Sequence, residues 1–383
     1  MVDLQTAEKA LKSVYLSVVT DELNVSSNAL LSKIEQTSSD VWGKDIVKMV
    51  TYGINGGIGA GTEIGSLPLS VGNNYAQFRT ELKNLYGTIE ISDKAIRASQ
   101  NSSGAFVNLL NAEMEGLLKA SKYNLSRMLY GDGSGVLANV AIAVTNKNKV
   151  AVNNIKNFIE GMVVDIYNGE NKIHSAVKVV GVDRINSSII LNKTIETLTV
   201  NDYFTVQNSK GLELTGLGAI FSKNDLYGMS RENNSWLTPY SYNCDDILDV
   251  VYIQEAIDYI DEIAGSTVDF IACAYDARKA YISLVTTNRY NLDYMILDGG
   301  FKAINYSGIP MVADKFIKPG EMYLLNTNDF KMHQLCDWRW LEGDSGNVIK
   351  QKAGTATYNA TLVKYADIIC SRPCGQAKLY NVA

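Results

Sequence analysis

The chain has 383 residues, of which 46% are hydrophobic and 20% are charged, and its formal net charge is −6. These values match folded soluble domains and exclude a chain that is disordered throughout, while the length predicts two or three folding units. The acidic balance and the absence of any run of five like charges argue against a dedicated nucleic-acid-binding surface.

The cysteines are odd in number and lack the dense spacing of a secreted disulfide scaffold, which predicts reduced thiols in the cytosol. The start of the chain carries Asp3 and Glu8 inside a helical pattern, so neither a signal peptide nor a transmembrane span is expected. We therefore expect a protein that is made and kept in the cytosol unless an assembly carries it out. The cysteines are Cys244, Cys273, Cys336, Cys370 and Cys374.

Apolar residues recur at helical spacing over residues 4–23 and more weakly over residues 28–42. This pattern predicts two amphipathic helices. Because no sheet of their own lies nearby in sequence, they suit an arm on a neighbouring surface, but an ordinary packed helical pair explains the pattern equally well.

Residues 43–92 place a glycine cluster between two strand-like runs, at residues 46–52 and 78–91. Glycine loses the most backbone freedom on ordering, so the cluster predicts a long two-stranded projection with a mobile tip. A phosphate-binding loop is disfavoured, since no P-loop lysine and no strand-loop-helix context is present. The glycines are Gly53, Gly56, Gly57, Gly59, Gly61 and Gly65.

A long helix is predicted from the N-capping residues at 99–103 to Tyr130, where the sequence YGDGSG ends it. Its apolar stripe is Phe106, Leu110, Met114, Leu117, Leu125 and Met128.

From residue 141 to 208 the apolar period changes to two, and five short strands predict a small all-β unit, a barrel or a sandwich, with its own core.

The remaining chain predicts an α+β mixture. Asp245 and Asp246 are expected to open a helix that runs to Ile263, because acidic residues favour the N-terminal end of a helix dipole. Strands are expected at residues 269–274, 308–313, 322–325, 355–365 and 366–369, with a helix at 276–286, around an antiparallel or mixed sheet.

Side chains that commonly act in catalysis or metal binding are few. His174 and His333 are the two histidines and are far apart in sequence. Cys370 and Cys374 form a C-x-x-x-C without a second pair, which predicts structural thiols rather than a metal site. The acids from Asp245 to Glu262 are better explained as a solvated helix face, and Trp338 and Trp340 as core packing or a subunit contact. No catalytic, metal-binding or cofactor-binding residue is predicted.

The order of helical arm, glycine-tipped projection, long helix, β-insertion and closing α+β region resembles the HK97-type capsid fold of tailed bacteriophages. The sequences that carry the resemblance are residues 43–92, the helix that ends at YGDGSG, YSGIPMVADKFIKPGEMYLLNTNDF at 306–330 and ADIICSRPCGQAKLYNV at 366–382. No long charge-rich coiled segment is expected before residues 1–42, which resembles capsid chains that use a separate scaffolding protein or lose little on maturation. Lys44 and Lys48 lie in the projection, but no asparagine partner for the cross-link of some relatives can be named.

The resemblance implies an α+β fold with five parts: a helical N-arm at 1–42, an extended projection or E-loop at 43–92, a spine helix with the start of the peripheral domain at 93–140, an all-β insertion at 141–208 and an axial domain with return strands at 209–383.

The resemblance also implies a major capsid protein that forms pentamers and hexamers in an icosahedral shell around double-stranded DNA, assembled in the host cytoplasm with scaffolding and portal proteins. The six glycines, Trp338 and Trp340 are its expected assembly residues, and no cofactor is expected. An encapsulin-like compartment, a metal-dependent α+β enzyme and a tail or adhesion protein remain alternatives.

Overall fold

The structure of the protein is a computed structural model that describes residue 23 and residues 28–94, 103–287, 294–297, 300–343 and 346–382, with the backbone alone for residues 103–111. The helix expected over residues 4–23 therefore lies outside the described residues, apart from Leu23, which is fully buried.

The described ranges contain four α-helices and 21 strands. The α-helices are α1 Ser103–Leu129, α2 Leu217–Ile220, α3 Val250–Ala264 and α4 Tyr275–Thr287. The strands are β1 Glu35–Thr37, β2 Val41–Trp42, β3 Asp45–Tyr52, β4 Asn74–Glu81, β5 Lys83–Ser92, β6 Val136–Asn139, β7 Val144–Ala151, β8 Val163–Asn168, β9 Asn171–Asp183, β10 Ser188–Leu198, β11 Asp202–Val206, β12 Tyr240–Asn243, β13 Phe270–Cys273, β14 Tyr294–Ile296, β15 Lys302–Tyr306, β16 Ile309–Ala313, β17 Met322–Leu325, β18 Phe330–Trp340, β19 Lys350–Gln351, β20 Thr357–Cys370 and β21 Ala377–Tyr380.

These strands form four sheets within the described residues. A five-stranded sheet has the order β1-β18-β20-β19, with β5 paired to the other side of β20, and a three-stranded sheet has the order β2-β3-β4. A seven-stranded sheet has the order β12-β21-β17-β13-β16-β15-β14, and a six-stranded sheet has the order β6-β11-β8-β9-β10-β7. Parallel and antiparallel pairs occur in both the five-stranded and the seven-stranded sheet. The fold class is therefore α+β, as the sequence predicts.

Helix α1 packs against the five-stranded sheet through β5. Every second residue of β5 is buried, from Leu85 to Ile91, so one face of the strand is apolar. Leu117 of α1 comes so close to Gly87 that a Cβ at position 87 would lie 2.7 Å from its Cδ1. A side chain at position 87 would force the Leu117 side chain to move, so glycine favours this close packing of helix and strand.

The six-stranded sheet has a core of its own. Its two end strands β6 and β7 meet where Val140 bridges Val152, which closes the sheet into a barrel. Phe158 and Phe204 pack edge to face inside it, with ring centroids 5.8 Å apart. The barrel strands lie between residues 136 and 206, so the first of them precedes the expected boundary at residue 141.

The helix expected to open at Asp245 and Asp246 begins later. Both residues have a left-handed backbone, with φ of 47° and 64°, and α3 starts at Val250. Asp249 is its N-cap, since its carboxylate accepts a hydrogen bond from the Val251 N–H at 3.1 Å. The sequence prediction placed the start of the helix too early, because Asp245 and Asp246 lie in a turn before the helix and Asp249 is the cap.

The helix expected over residues 28–42 is wrong. This segment holds a 3-10 turn at Leu31–Lys33 and the strands β1 and β2. Strand β1 pairs in parallel with β18, and the fully buried Lys364 donates a hydrogen bond to Gln36 Oε1 at 2.8 Å. Tertiary pairing and this buried hydrogen bond fix an extended chain where local periodicity alone indicated a helix.

The strand expected at residues 78–91 is two strands. Strand β4 pairs with β3, whereas β5 pairs with β20 in another sheet, and the break lies at Leu82, whose N–H donates to the Lys44 carbonyl at 2.9 Å. The two strands expected at 355–365 and 366–369 are one continuous strand, β20. The two-stranded projection therefore ends at Glu81.

Candidate assembly surface

Strands β3 and β4 form an antiparallel hairpin with eight residue pairs, from Asp45 opposite Glu81 to Tyr52 opposite Asn74. At about 3.4 Å per residue these strands extend about 27 Å. Residues 53–73 connect them without regular structure except a turn near residues 63–65. We call the β3–β4 hairpin the projection and residues 53–73 its tip.

Aromatic side chains attach the projection to the rest of the chain. Phe78 is fully buried, and its ring centroid lies 5.0 Å from that of Tyr227 and 5.8 Å from that of Trp236. Tyr52 stacks on the same Trp236 at 4.9 Å. The Arg79 N–H also donates to the Tyr227 carbonyl at 3.0 Å. The projection therefore has an anchored root.

Two buried titratable residues contact the chain before and after the projection, at Ser39 and at Thr80 of β4. His333 and Asp367 are opposite each other in β18 and β20. His333 Nδ1 donates to the Ser39 carbonyl at 2.9 Å, while the Asp367 carboxylate accepts hydrogen bonds from Thr80 Oγ1 at 3.0 Å and from the Thr215 N–H and Oγ1, each at 2.8 Å. Burial lowers the pKa of His333 and raises the pKa of Asp367.

Glycines let the two arms of the tip lie side by side. A Cβ at Gly57 would come within 3.4 Å of the Val71 nitrogen, and one at Gly59 within 3.2 Å of Pro68 Cγ. Gly65 closes the turn, since its N–H donates to the Thr62 carbonyl at 3.0 Å. Of the six predicted glycines, only Gly53 has a left-handed φ, at 64°. Gly56 and Gly61 also face the opposite arm, near Val71 and Ser66.

The tip also exposes large aliphatic side chains, which the sequence analysis missed. Ile64, Leu67 and Leu69 are 97%, 89% and 86% exposed, and Ile54 and Ile58 are exposed as well. Contiguous exposed apolar side chains of this kind mark interaction sites in soluble proteins. The sequence contains a signal for these residues, because LPLSV at 67–71 alternates apolar and other residues as a strand does. The prediction of a mobile tip rested on the glycines and did not consider this alternation.

A groove of about 640 Å³ runs along β5. One wall is residues 81–86 and 88, and the opposite walls are α1 and the segment at 206–213 that follows the barrel. Arg127 and Glu213 form an ion pair beside it, with side chains only 4% and 3% exposed. The apolar lining is Leu82, Leu85, Leu125, Met128, Val206, Leu212 and Trp338.

Trp338 and Trp340 are buried in the core of the subunit, at 5% and 3% exposure. Of the two explanations that the sequence left open, burial favours core packing. The Trp338 indole N–H has no hydrogen-bond partner among the described residues.

The histidines and cysteines do not form a catalytic or metal-binding group within the described residues. His174 lies on β9 in the barrel and His333 on β18, and burial lowers the pKa of both. Burial raises the pKa of Cys370 and of Cys374, which disfavours the reactive thiolate. Within the described ranges no three His, Cys, Asp or Glu side chains are grouped to hold a metal ion, and no helix is long and apolar enough to cross a membrane.

No protein-family model matches the chain, and no curated protein matches it by sequence. A solved structure of the cyanophage A-1(L) capsid asymmetric unit aligns over 94% of this chain and 92% of its own, with a TM-score of 0.55 and 12% identity. The SrpI encapsulin of Synechococcus elongatus PCC 7942 aligns over 100% and 96% with a TM-score of 0.46 and 10% identity, and the capsid of a native GTA particle over 93% and 90% with 0.48 and 10%. The last two scores are too low to add to the assignment.

The chain thus has the fold of a phage capsid subunit. The fold resemblance expected from the sequence is confirmed by the alignment with the cyanophage capsid structure, which spans nearly the whole of both chains. Identity of 12% establishes the fold and leaves the function to be argued from the chain's own surface.

Proposed function

We propose that the protein is a major capsid protein that assembles as pentamers and hexamers into an icosahedral shell around double-stranded DNA. The observation that carries the proposal is the alignment of 94% of the chain with a phage capsid subunit. A match over 94% of this chain and 92% of the other is not a match to one common domain.

The exposed tip supports a self-assembling subunit. A monomeric protein rarely exposes a contiguous group of large aliphatic residues, and the tip lies at the end of a hairpin with a buried root. A projection of this shape fits a head-to-tail contact, in which one surface of a subunit meets a different surface of the next, and such contacts close into rings. The six glycines, Gly53 to Gly65, are the proposed assembly residues. Among them Gly59 permits a close approach of the two arms, since a Cβ there would lie 3.2 Å from Pro68 Cγ.

The parts of the fold receive proposed roles. Residues 1–42 are the N-arm, the projection within residues 43–92 is the E-loop, and α1 within 93–140 is the spine helix. The barrel within residues 141–208 is proposed as an insertion into the capsid fold, and residues 209–383 as the axial domain with the return strands of the peripheral domain. The separate core of the barrel supports its assignment as a separate unit.

We propose a separate scaffolding protein and a portal protein as partners, assembly in the host cytoplasm and a final location in the virion. The net charge of −6 argues against a dedicated DNA-binding surface, so we propose that the DNA is enclosed without sequence-specific contacts to this chain. An encapsulin-like compartment would use the same fold and differ in its contents, so nucleic acid in purified particles separates these two functions.

The test is gel filtration followed by negative-stain electron microscopy across a concentration series, with Leu69→Asp and the matched control Ile185→Asp. Ile185 is also highly exposed but lies in the barrel, at 94%. We expect closed shells or rings from the wild type and from Ile185→Asp, and loss of assembly in Leu69→Asp. A wild type that stays monomeric or dimeric under every condition, also with its neighbouring gene products, would contradict the proposal.

A further inference from the structure

We propose that the protein binds the phosphate group of a nucleotide in a second cavity, where Lys315 lies over two aromatic rings and beside two lysines of α1. The nucleotide is free or is part of a single-stranded nucleic acid, since both present the same phosphate and base. This inference goes beyond the proposed function and does not rest on it, because its argument uses the cavity alone.

The cavity lies where α1, the barrel and the seven-stranded sheet meet, and its volume is about 350 Å³. Small-molecule sites have volumes of about 300–1,000 Å³, so a ligand of nucleotide size is in range. The walls come from separate parts of the chain. They are residues 119, 122, 123 and 126 of α1, Ile159 between β7 and β8, residues 313–316 after β16 and Tyr275 at the start of α4.

Lys315 is the cation on which the argument depends. Its Nζ lies 4.5 Å from the ring centroid of Tyr123 and 4.8 Å from that of Phe316. Neither a hydrogen bond nor an ion pair joins this ammonium group to another residue of the described ranges, and the residue is exposed. Partial burial lowers the pKa of Lys315, and a bound anion would favour the charged form again.

The rings under Lys315 are held in place. Tyr123 and Phe316 pack edge to face with centroids 4.9 Å apart, and the Tyr123 hydroxyl donates to the Lys156 carbonyl at 2.6 Å. A cation on a fixed aromatic support needs little ordering when a ligand binds. The position of the ammonium group is therefore set before the ligand arrives.

Positive charge exceeds negative charge in the lining of this cavity. Lys119 and Lys122 join Lys315 there, and Asp314 is the acid among the lining residues. Its carboxylate accepts hydrogen bonds from the Asn28 amide and, at 2.9 Å, from the Phe316 N–H, and burial raises its pKa. Three lysines against one hydrogen-bonded carboxylate favour an anionic ligand.

The nearest charges outside the lining do not change this balance. Arg184 acts on both Tyr123 and Lys315, but it forms an ion pair with Glu160 at 3.3 Å. This pair adds no net charge.

An exposed ring in the same lining suits the base of a nucleotide. Tyr275 is 47% exposed, and the Arg278 guanidinium lies 5.2 Å from its ring centroid. Lysines that contact phosphate, together with an aromatic side chain on which a base stacks, are the usual means of binding unpaired nucleotides. Inorganic phosphate would use the lysines alone, so the ring predicts a preference for the nucleotide.

The experiment is calorimetric titration of the full chain at low salt with deoxyadenosine monophosphate, a short thymidine oligonucleotide and inorganic phosphate. Lys315→Gln is compared with Lys318→Gln, because Lys318 is exposed in the same loop but does not line the cavity. Loss of one charge-assisted hydrogen bond should weaken nucleotide binding at least about tenfold in Lys315→Gln. Lys318→Gln should bind as the wild type does.

Two results identify the ligand more closely. Tyr275→Ala should bind nucleotide no more tightly than inorganic phosphate, whereas the control Tyr75→Ala, which alters an exposed ring of the projection, should keep the preference. Binding of the monophosphate assigns the cavity to free nucleotides, and binding of the oligonucleotide alone assigns it to nucleic acid.

A further measurement needs no substitution. Saturating nucleotide should slow the acetylation of Lys315 in the wild type at least tenfold, as measured by mass spectrometry, and should leave Lys318 unchanged. The inference is overturned if neither nucleotide ligand binds, if both lysine variants weaken binding equally, if inorganic phosphate binds as tightly as the nucleotide, or if Lys315 is not protected. These outcomes leave the proposed function intact, which depends on shell formation.

Discussion

The anchored root of the projection gives a quantitative prediction for Phe78→Ala. The Phe78 side chain is fully buried between Trp236 and Tyr227, so truncation removes the contact that fixes β4 to the rest of the chain. A buried aromatic side chain covers about 150–250 Å². At about 25 cal/mol per Å² its burial contributes roughly 4–6 kcal/mol. Alanine retains part of this, and we expect a loss of about 3–5 kcal/mol.

Hydrogen exchange measures this loss where it occurs. The Arg79 N–H is bonded to the Tyr227 carbonyl, so exchange of peptides that cover residues 74–81 reports the opening of the root. Since 1.4 kcal/mol corresponds to a factor of ten, exchange there should accelerate by about 10²-fold to several thousand-fold. The barrel peptides serve as an internal reference, because the barrel has a separate core.

Tyr75→Ala is the matched control, because Tyr75 lies on the same strand but is 58% exposed. It should leave exchange at residues 74–81 unchanged within about threefold, as expected for a surface substitution. If Phe78→Ala also leaves this exchange unchanged, the aromatic contacts do not hold the root and the reasoning is refuted.

Three further predictions concern the ion pair, the root histidine and the tip. Arg127→Met leaves the Glu213 carboxylate buried without its partner, so the free energy of unfolding measured in urea should fall by about 3–5 kcal/mol. The double variant R127M/E213L removes the unpaired charge as well and should recover most of this loss. Equal losses in the single and the double variant would contradict this prediction. Because burial lowers the pKa of His333 below 6.5, the folded chain binds its proton less readily than the unfolded chain, so stability from neutral His333 is full above pH 6.5 and falls below it. The free energy of unfolding should therefore drop more between pH 7.5 and 5.5 in the wild type than in His333→Gln, and identical pH profiles would exclude this role. Deletion of residues 53–65 should leave a subunit with a native circular dichroism spectrum that does not assemble, and normal particles would show that the projection assignment is wrong.

The sequence predicted the elements whose periodicity is local and strong. Helix α1 was found because its apolar stripe recurs at helical spacing and ends at Gly131, and the barrel because its strands alternate between clear turn signals. The α+β fold followed from the order of these elements.

The sequence does not show which strands pair with each other. The break at Leu82 separates two strands with similar residues, and only pairing with β3 or with β20 distinguishes them. The same holds for residues 28–42, where β18 imposes an extended chain on a helical pattern. The hydrogen bonds of His333 to Ser39 and of Asp367 to Thr80 join residues about 290 positions apart and have no local signature in the sequence.

The most direct test of the proposed function is cryo-electron microscopy of particles formed by the wild-type chain. The proposal predicts closed icosahedral shells made of pentamers and hexamers, with the tip of each subunit resting on its neighbour and Leu69 buried between copies. Particles in which the tips point into solvent, or a protein that forms no closed shell with or without its neighbouring gene products, would contradict it.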